Sequence, residues 1–218
     1  WPGSDVKVKN LYPDVWFNYN QHHLTVSERI TLASQAINAK SAPDLIMIYF
    51  EEPDHQGHDF GPQSPHTKDA LRNMDAHLQD LWENIQQGPR KDSVNLIVVS
   101  DHGMTLVSPE RKIECKKYLN PKWYERVEGN LPAQIYCKKG YVDSVYNALK
   151  DLPHQRVWRK KDIPAYLHYG THVNIGDIVV DPQEGWLVTD DKVKTGGMHG
   201  YDPTYSDMQA IFRAMGPS

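Results

Sequence analysis

Five side chains of metal-ligand type stand in three widely separated segments of this 218-residue sequence. Asp54 and His58 lie in Glu51–His58, Asp101 and His102 in Ser100–Met104, and His199 in Gly197–Asp202. Two carboxylates and three imidazoles suit Zn2+ or a similar divalent ion. Five ligands exceed what one tetrahedral ion needs and fall short of closing two sites. The set reads as a two-metal hydrolytic centre with part of its ligands missing. Each segment alone has a plainer reading. An Asp-His after a strand caps a turn or a helix, Pro53 and Gly57 around Asp54-x-x-x-His58 mark a turn, and His199 is a loop histidine. Glycines flank every segment, at Gly57, Gly103, Gly197 and Gly200. They permit tight backbone turns that aim side chains at a shared point.

The elements around these segments bring two of them to one edge. Thr25 and Glu28 have capping-box spacing, so a helix begins there and presents Ile30, Ala33 and Ile37 on one face. Leu45–Phe50 is a continuous apolar run of strand length, as expected for a strand buried on both faces. Ser64-Pro65 opens a second helix. Its apolar positions Leu71, Met74, Leu78, Leu81 and Ile85 alternate steps of three and four, and Gly88-Pro89 stops it. Val94–Val99 is a second buried strand. Strand, helix, strand at this spacing predicts a parallel βαβ unit with a right-handed crossover. Asp54/His58 and Asp101/His102 then follow the carboxyl ends of neighbouring strands, where open α/β sheets bind ligands. Farther on, Leu131–Lys138, a helix around Val142, Val145 and Leu149, and Gln155–Lys160 predict another β-α-β segment. Short strands at Asp177–Val180 and Trp186–Thr189 precede the His199 loop, and Gln209–Met215 returns to the core as a strand.

Composition sets the outer bounds. With 39% hydrophobic and 24% charged residues the chain is one globular domain or most of one. A formal charge of −4 supplies no basic field for a nucleic-acid polymer or an anionic membrane. Phosphate esters could still be recruited by local metal charge. No apolar run reaches membrane-spanning length and no signal peptide is present; a start at Trp1 without Met implies that upstream sequence has been removed. Cys115 and Cys137 could pair or stay free. No Asn-x-Ser/Thr sequon occurs. Arg159-Lys160-Lys161 reads as a solvated basic patch. The eight other histidines, His22, His23, His168 and His172 among them, read as surface or packing residues.

Four blocks carry a family resemblance: Trp1–Asp5, Tyr49–Asp54 with Gly57-His58 and Gly61-Pro62, Ser100–Met104, and Met198–Asp202. In their order they resemble the nucleotide pyrophosphatase/phosphodiesterase family of the alkaline-phosphatase superfamily, over the whole of residues 1–218. The resemblance implies an α/β fold, an alkaline-phosphatase-like three-layer sandwich with a mostly parallel central sheet, incomplete in this chain. By the same resemblance Asp54, His58 and His199 hold one zinc and Asp101 with His102 hold part of the other, two Zn2+ in the complete domain. The family's nucleophilic threonine, a further aspartate and a phosphate-binding asparagine match nothing in residues 1–218. The resemblance therefore implies a single catalytic phosphodiesterase domain lacking its amino-terminal nucleophile segment, with no catalytic nucleophile of its own and inactive by itself.

The activity so implied is zinc-dependent hydrolysis of phosphodiester or pyrophosphate bonds in nucleotides, through a covalent intermediate on that threonine. Cleavage of choline phospholipids and a silent metal-binding module are the alternatives. The partner is a small phosphodiester, not a nucleic-acid polymer. The family works outside the cytoplasm, and scarce cysteine and absent sequons lean towards a bacterial periplasm. Glu51, Glu52 and Asp202 are read as orienting ligands rather than as bases. Asp5 is a candidate polar contact to the pocket and equally a helix or turn cap. Tyr19 and Tyr49 match positions where relatives stack a base, although both tyrosines also read as packing residues; stacking is worth about 1–3 kcal/mol per base in single-strand binders. In the full-length protein, Tyr19→Ala should raise KM for nucleotide substrates and leave hydrolysis of bis(nitrophenyl) phosphate nearly unchanged. Equal losses on the two would show that Tyr19 packs the fold.

Overall fold

A computed structural model describes Gly3, residues 6–17 and residues 23–217. Tyr19 and Asp5 lie outside the described residues. In chain order the helices and strands are α1 (Val26–Asn38), α2 (Asp54–Phe60), α3 (Pro65–Gln87), β1 (Leu96–Val99), β2 (Thr105–Val107), β3 (Lys112–Ile113), β4 (Tyr124–Glu128) and β5 (Ala133–Cys137). They continue with α4 (Val142–Leu149), β6 (Gln155–Arg159), β7 (Ile178–Pro182), β8 (Leu187–Val188), β9 (Gly196–Met198) and β10 (Phe212–Met215). The fold is mixed α/β. No helix among the described residues is long and apolar enough to cross a membrane. The chain divides into two compact units.

The first unit comprises Trp1–His55, Lys68–Val98 and Arg213–Ser218. Helix α1 starts where its capping box predicts. The Thr25 hydroxyl accepts from the Glu28 N–H at 3.3 Å, and the Glu28 carboxylate accepts from the Thr25 N–H at 2.7 Å, satisfying two donors the helix start leaves over. Ile30 and Ala33 of α1 are buried with Leu81 and Ile85 of α3, and Ile37 and Trp82 pack beside them. The predicted apolar stripe of α3 is buried only in its second half; Leu71 is exposed. Residues 45–50 form no strand. Their side chains nevertheless alternate: Ile46, Ile48 and Phe50 join the core, whereas Leu45 and Met47 are 75% and 58% exposed. Hydrophobicity alone does not make a strand, which needs a ladder partner. β1 pairs instead with β10, and β10 is exposed along its length, a correction to its expected return to the core. Glu51 is clamped by Arg29, whose two terminal nitrogens each donate to it at 2.9 Å.

The second unit comprises Gln56–Thr67 and Val99–Phe212. Its main sheet is antiparallel, in the order β4-β5-β7-β6. The predicted β-α-β segment is present as β5, α4 and β6, but β7 lies between the two strands. Val145 and Leu149 of α4 sink into a core with Ala133, Ile135, Ile178 and Val180. Three-residue β2 and β9 pair antiparallel, and β3 and β8 form a short parallel pair. Cys115 and Cys137 are free thiols, and burial pushes the first up to about 12 and the second to about 11. Arg159-Lys160-Lys161 is no simple solvated patch. Arg159 lies over the Tyr146 ring and pairs with Asp143 at 2.8 Å. The Lys160 ammonium donates to the carbonyls of His172, Val173 and Ile175 at 2.6, 3.4 and 3.1 Å.

Leu149 is fully buried, so Leu149→Ala should cost about 2–5 kcal/mol. Urea unfolding followed by tryptophan fluorescence measures this. A loss below about 1 kcal/mol, typical of a surface change, would show that α4 does not seal this core.

Candidate metal centre

Register brings two of the three histidines together. In the β2–β9 ladder Thr105 lies opposite Met198 and Val107 opposite Gly196. The start of β2 therefore meets the end of β9, and His102, three residues before β2, comes to face His199, the residue after β9. Their rings stack with centroids 3.4 Å apart and planes 9° from parallel. The His102 loop is held on its other side, since the Gly103 N–H donates to the Met208 carbonyl at 3.1 Å.

Helix α2 supplies the third. The sequence reads Asp54–His58 as a segment without a helix, in which Pro53 and Gly57 mark a turn. The structure makes it helical, with Asp54 as the first residue and His58 one turn later, where i and i+4 share a face. His58 Nε2 lies 3.2 Å from His199 Nε2, with ring centroids 5.0 Å apart. Close backbone packing permits this. A Cβ at Gly196 would collide with the His58 carbonyl oxygen, and one at Gly197 would lie 2.5 Å from the Gly57 carbonyl oxygen and collide with Met104 Sδ. Of the four glycines singled out in the sequence, Gly200 alone has a positive φ, +101°. Gly57, Gly103 and Gly197 serve close approach rather than turning.

Backbone carbonyls set the tautomers. His58 Nδ1 lies 2.8 Å from the Gly197 oxygen and His102 Nδ1 lies 2.8 Å from the Gly103 oxygen. A carbonyl only accepts, so each Nδ1 carries a proton, and the neutral tautomer of such a ring has its Nε2 lone pair on the other side. This is the form in which imidazole ligates metals. The 3.2 Å approach of His58 and His199 is favourable only with a proton or a cation shared between the two nitrogens. The donor set therefore fits a metal ion.

The remaining predicted residues are placed as follows. Asp101 is 77% exposed, and its Oδ1 lies 3.5 Å from His102 Nε2. Tyr49 is half-buried in the strandless segment, and its carbonyl accepts from Arg29 at 2.7 Å. Glu51 is tied to the same arginine. Asp202 is buried and accepts from Arg156, Tyr166 and Thr204. Burial works to raise its pKa, but the hydrogen bonds from Tyr166, Thr204 and Arg156 prevail and hold it well below the usual carboxylate range. Arg156 was not singled out by sequence reasoning, and no local pattern marks it. The Gly196-Gly197 pair before Met198-His199 was the one available sign of a backbone held close to another.

Residues 1–202 match the family described as type I phosphodiesterase / nucleotide pyrophosphatase. The chain belongs to that family. It is 34% identical over 221 residues to ectonucleotide pyrophosphatase/phosphodiesterase family member 5 of Homo sapiens, with all of this chain and 46% of that protein covered. It is 34% identical over 232 residues to venom phosphodiesterase 2 of Crotalus adamanteus, covering all of this chain and 28% of that protein. A solved structure of an inactive form of murine ectonucleotide pyrophosphatase/phosphodiesterase 5, in complex with AMP, superposes with a TM-score of 0.90 at 35% identity, over all of this chain and 59% of that one. The chain thus spans about half the length of the first of these relatives and less of the venom enzyme. The incomplete alkaline-phosphatase-like α/β fold agrees with that superposition.

Gly197→Ala should displace β9 from α2 and cost several kcal/mol, the range of overpacked cores and above. Adding Met104→Ala should not restore stability, because the Gly57 carbonyl oxygen remains in the way. Thermal unfolding of single and double variants tests this. Full rescue by the second change would show that a flexible side chain, and not backbone contact, sets the requirement for glycine.

Proposed function

We propose that this chain supplies the zinc-binding part of a nucleotide pyrophosphatase/phosphodiesterase. Asp54, His58 and His199 hold one Zn2+, and Asp101 with His102 contribute to a second. The observation that carries the reading is the convergence of His58, His102 and His199 with His58 and His102 presenting Nε2. Family membership supports it, as does the AMP complex of the murine relative, from which we take a nucleotide substrate. Residues 1–218 are read as one catalytic domain whose nucleophile lies outside them.

When bound, the two ions supply positive charge against the phosphoryl oxygens and lower the pKa of an attacking hydroxyl. The chain's own residues do the rest by position. The Gly197 and Gly103 carbonyls fix two imidazoles with their lone pairs turned inward. Arg29 fixes Glu51 in the segment leading to Asp54. No side-chain base from this chain is required, and hydrolysis through a covalent intermediate is retained as the course of reaction. Tyr49 and Tyr19 are assigned to the base. The site of action is extracytoplasmic, as the venom relative suggests; nothing in these comparisons with vertebrate proteins favours a bacterial periplasm.

The full-length protein tests the proposal. Zinc content should fall with chelation and return on adding zinc, together with hydrolysis of a dinucleotide and of nitrophenyl thymidine phosphate. Asp101→Ala or His102→Ala should cut kcat by about 100-fold or more with little change in KM, as expected for groups acting on charge in the transition state. Intact zinc with a small loss of activity would remove the second site from catalysis. Faster turnover of a lysophospholipid than of either nucleotide would reassign the substrate. No turnover of any diester at full zinc loading would leave a silent binding module.

A further inference from the structure

We propose that Arg156 and Tyr166 are positioning residues for the histidine cluster, acting through the carboxylate of Asp202 on the loop that carries His199. The inference rests on the metal-binding reading above. Asp202 follows His199 by three residues and its side chain is 1% exposed. One of its oxygens accepts from Arg156 Nη2 at 2.6 Å and from the Tyr166 hydroxyl at 2.6 Å. The other accepts from the Thr204 N–H at 2.9 Å and its hydroxyl at 2.7 Å. With two donors on each oxygen the carboxylate has little freedom left.

The donors are themselves fixed. Arg156 lies directly opposite Asp181 in the β6–β7 ladder, and the same Nη2 donates to the Asp181 carboxylate at 2.5 Å. The guanidinium therefore sits between two carboxylates, held by the main sheet. Tyr166 projects from the short helical turn Ala165–Leu167. On the near side of His199, Met198 is held by its ladder with Thr105. On the far side Tyr201 is buried with Val107, Leu187 and Met208. Only His199 and Gly200 span the gap between these anchors. The place of the imidazole is thus set by the ladder at one end and by Tyr201 and the Asp202 hub at the other.

Stability alone gives little reason for such a hub. The Arg156 side chain is 40% exposed, so water screens its attraction, while burial of the Asp202 carboxylate costs desolvation. What the charged arrangement adds is a defined position, which matters for a ligand that must stand within about 0.2 Å of its proper distance from a metal.

The test uses the full-length protein carrying Tyr166→Phe, Arg156→Lys or, as a control on another strand, Arg126→Ala. Arg126 stacks on Tyr136 and pairs with Glu128, away from Asp202 in the bonding network. Zinc affinity is read by competition with a chromophoric chelator, and site geometry by the visible spectrum of the cobalt-substituted protein, at a temperature where every variant is folded. Tyr166→Phe should weaken zinc binding about 10-fold and Arg156→Lys up to about 100-fold, the range for partners of metal ligands, with an altered cobalt spectrum. Arg126→Ala should lower Tm and leave both unchanged. Should Arg156→Lys fail to fold, Tyr166→Phe decides, since it keeps the ring and removes one hydroxyl. Wild-type affinity and spectrum in Tyr166→Phe overturn the inference, whatever happens to Tm. Absence of zinc binding in the wild type overturns the metal reading itself, and the inference with it.

Discussion

The antiparallel pairing of Thr105–Val107 with Gly196–Met198 is the constraint on which the histidine cluster depends. It is short, and most of its consequence lies beyond its ends. Pairing Thr105 with Met198 puts the loop entering one strand, which carries His102 three residues ahead of it, beside the chain leaving the other, which carries His199. A slip of one residue would turn every side chain to the opposite face and separate them. Three paired residues supply few hydrogen bonds to resist such a slip. The register is secured by what flanks it: the Gly103 N–H on the Met208 carbonyl, the Thr105 hydroxyl on Asp207 at 3.1 Å, and the buried ring of Tyr201.

Two different kinds of contact meet at His58 and His199. On the side of α2 the contact is backbone on backbone, possible because Gly196 and Gly197 carry no side chain, while the bare Gly57 makes room for the Met104 thioether. It has little apolar area to offer, and its strength is geometric: the Gly197 carbonyl can reach His58 Nδ1 at 2.8 Å only because the two backbones lie so close. On the side of Asp202 the contact is a saturated carboxylate under a guanidinium and a phenol. The first kind tolerates no added atom, and the second tolerates no lost partner.

What the sequence revealed follows the range of the interactions. Thr25 and Glu28 are three residues apart, so the capping box and helix α1 were legible. The stop at Gly88-Pro89 and the apolar face of α4 at Val142, Val145 and Leu149 were legible for the same reason. His58, His102 and His199 could be picked out as candidates because each stands in a glycine-flanked segment, although the reason for three of those glycines could not. A Cβ clash is a property of whatever packs against the glycine, which the local sequence does not contain. Helix α2 was hidden by Pro53 and Gly57, residues that argue against a helix until the chain packed on Gly57 is known. Strand β9 was hidden because Gly-Gly-Met has no strand propensity. Residues 45–50 misled in the opposite direction, since an apolar run says nothing about which neighbour is present to pair with it. The salt bridge from Arg156 to Asp202 crosses 46 residues, and no periodicity reports such a pair.

The insertion of β7 between β5 and β6 has a consequence for how the second unit is made. β5, α4 and β6 leave the ribosome in that order, yet no direct ladder joins β5 to β6. Until residues 178–182 emerge, each presents an open edge, and the apolar side of α4 has only part of a floor beneath it. The centre of the sheet is therefore its last strand to be synthesised. Chains in which the middle arrives last rely on contacts distant in sequence, which close slowly and leave edges available to neighbouring molecules meanwhile. The nascent chain is most vulnerable to association while the eighteen residues between Arg159 and Ile178 separate its two waiting strands from the one that joins them.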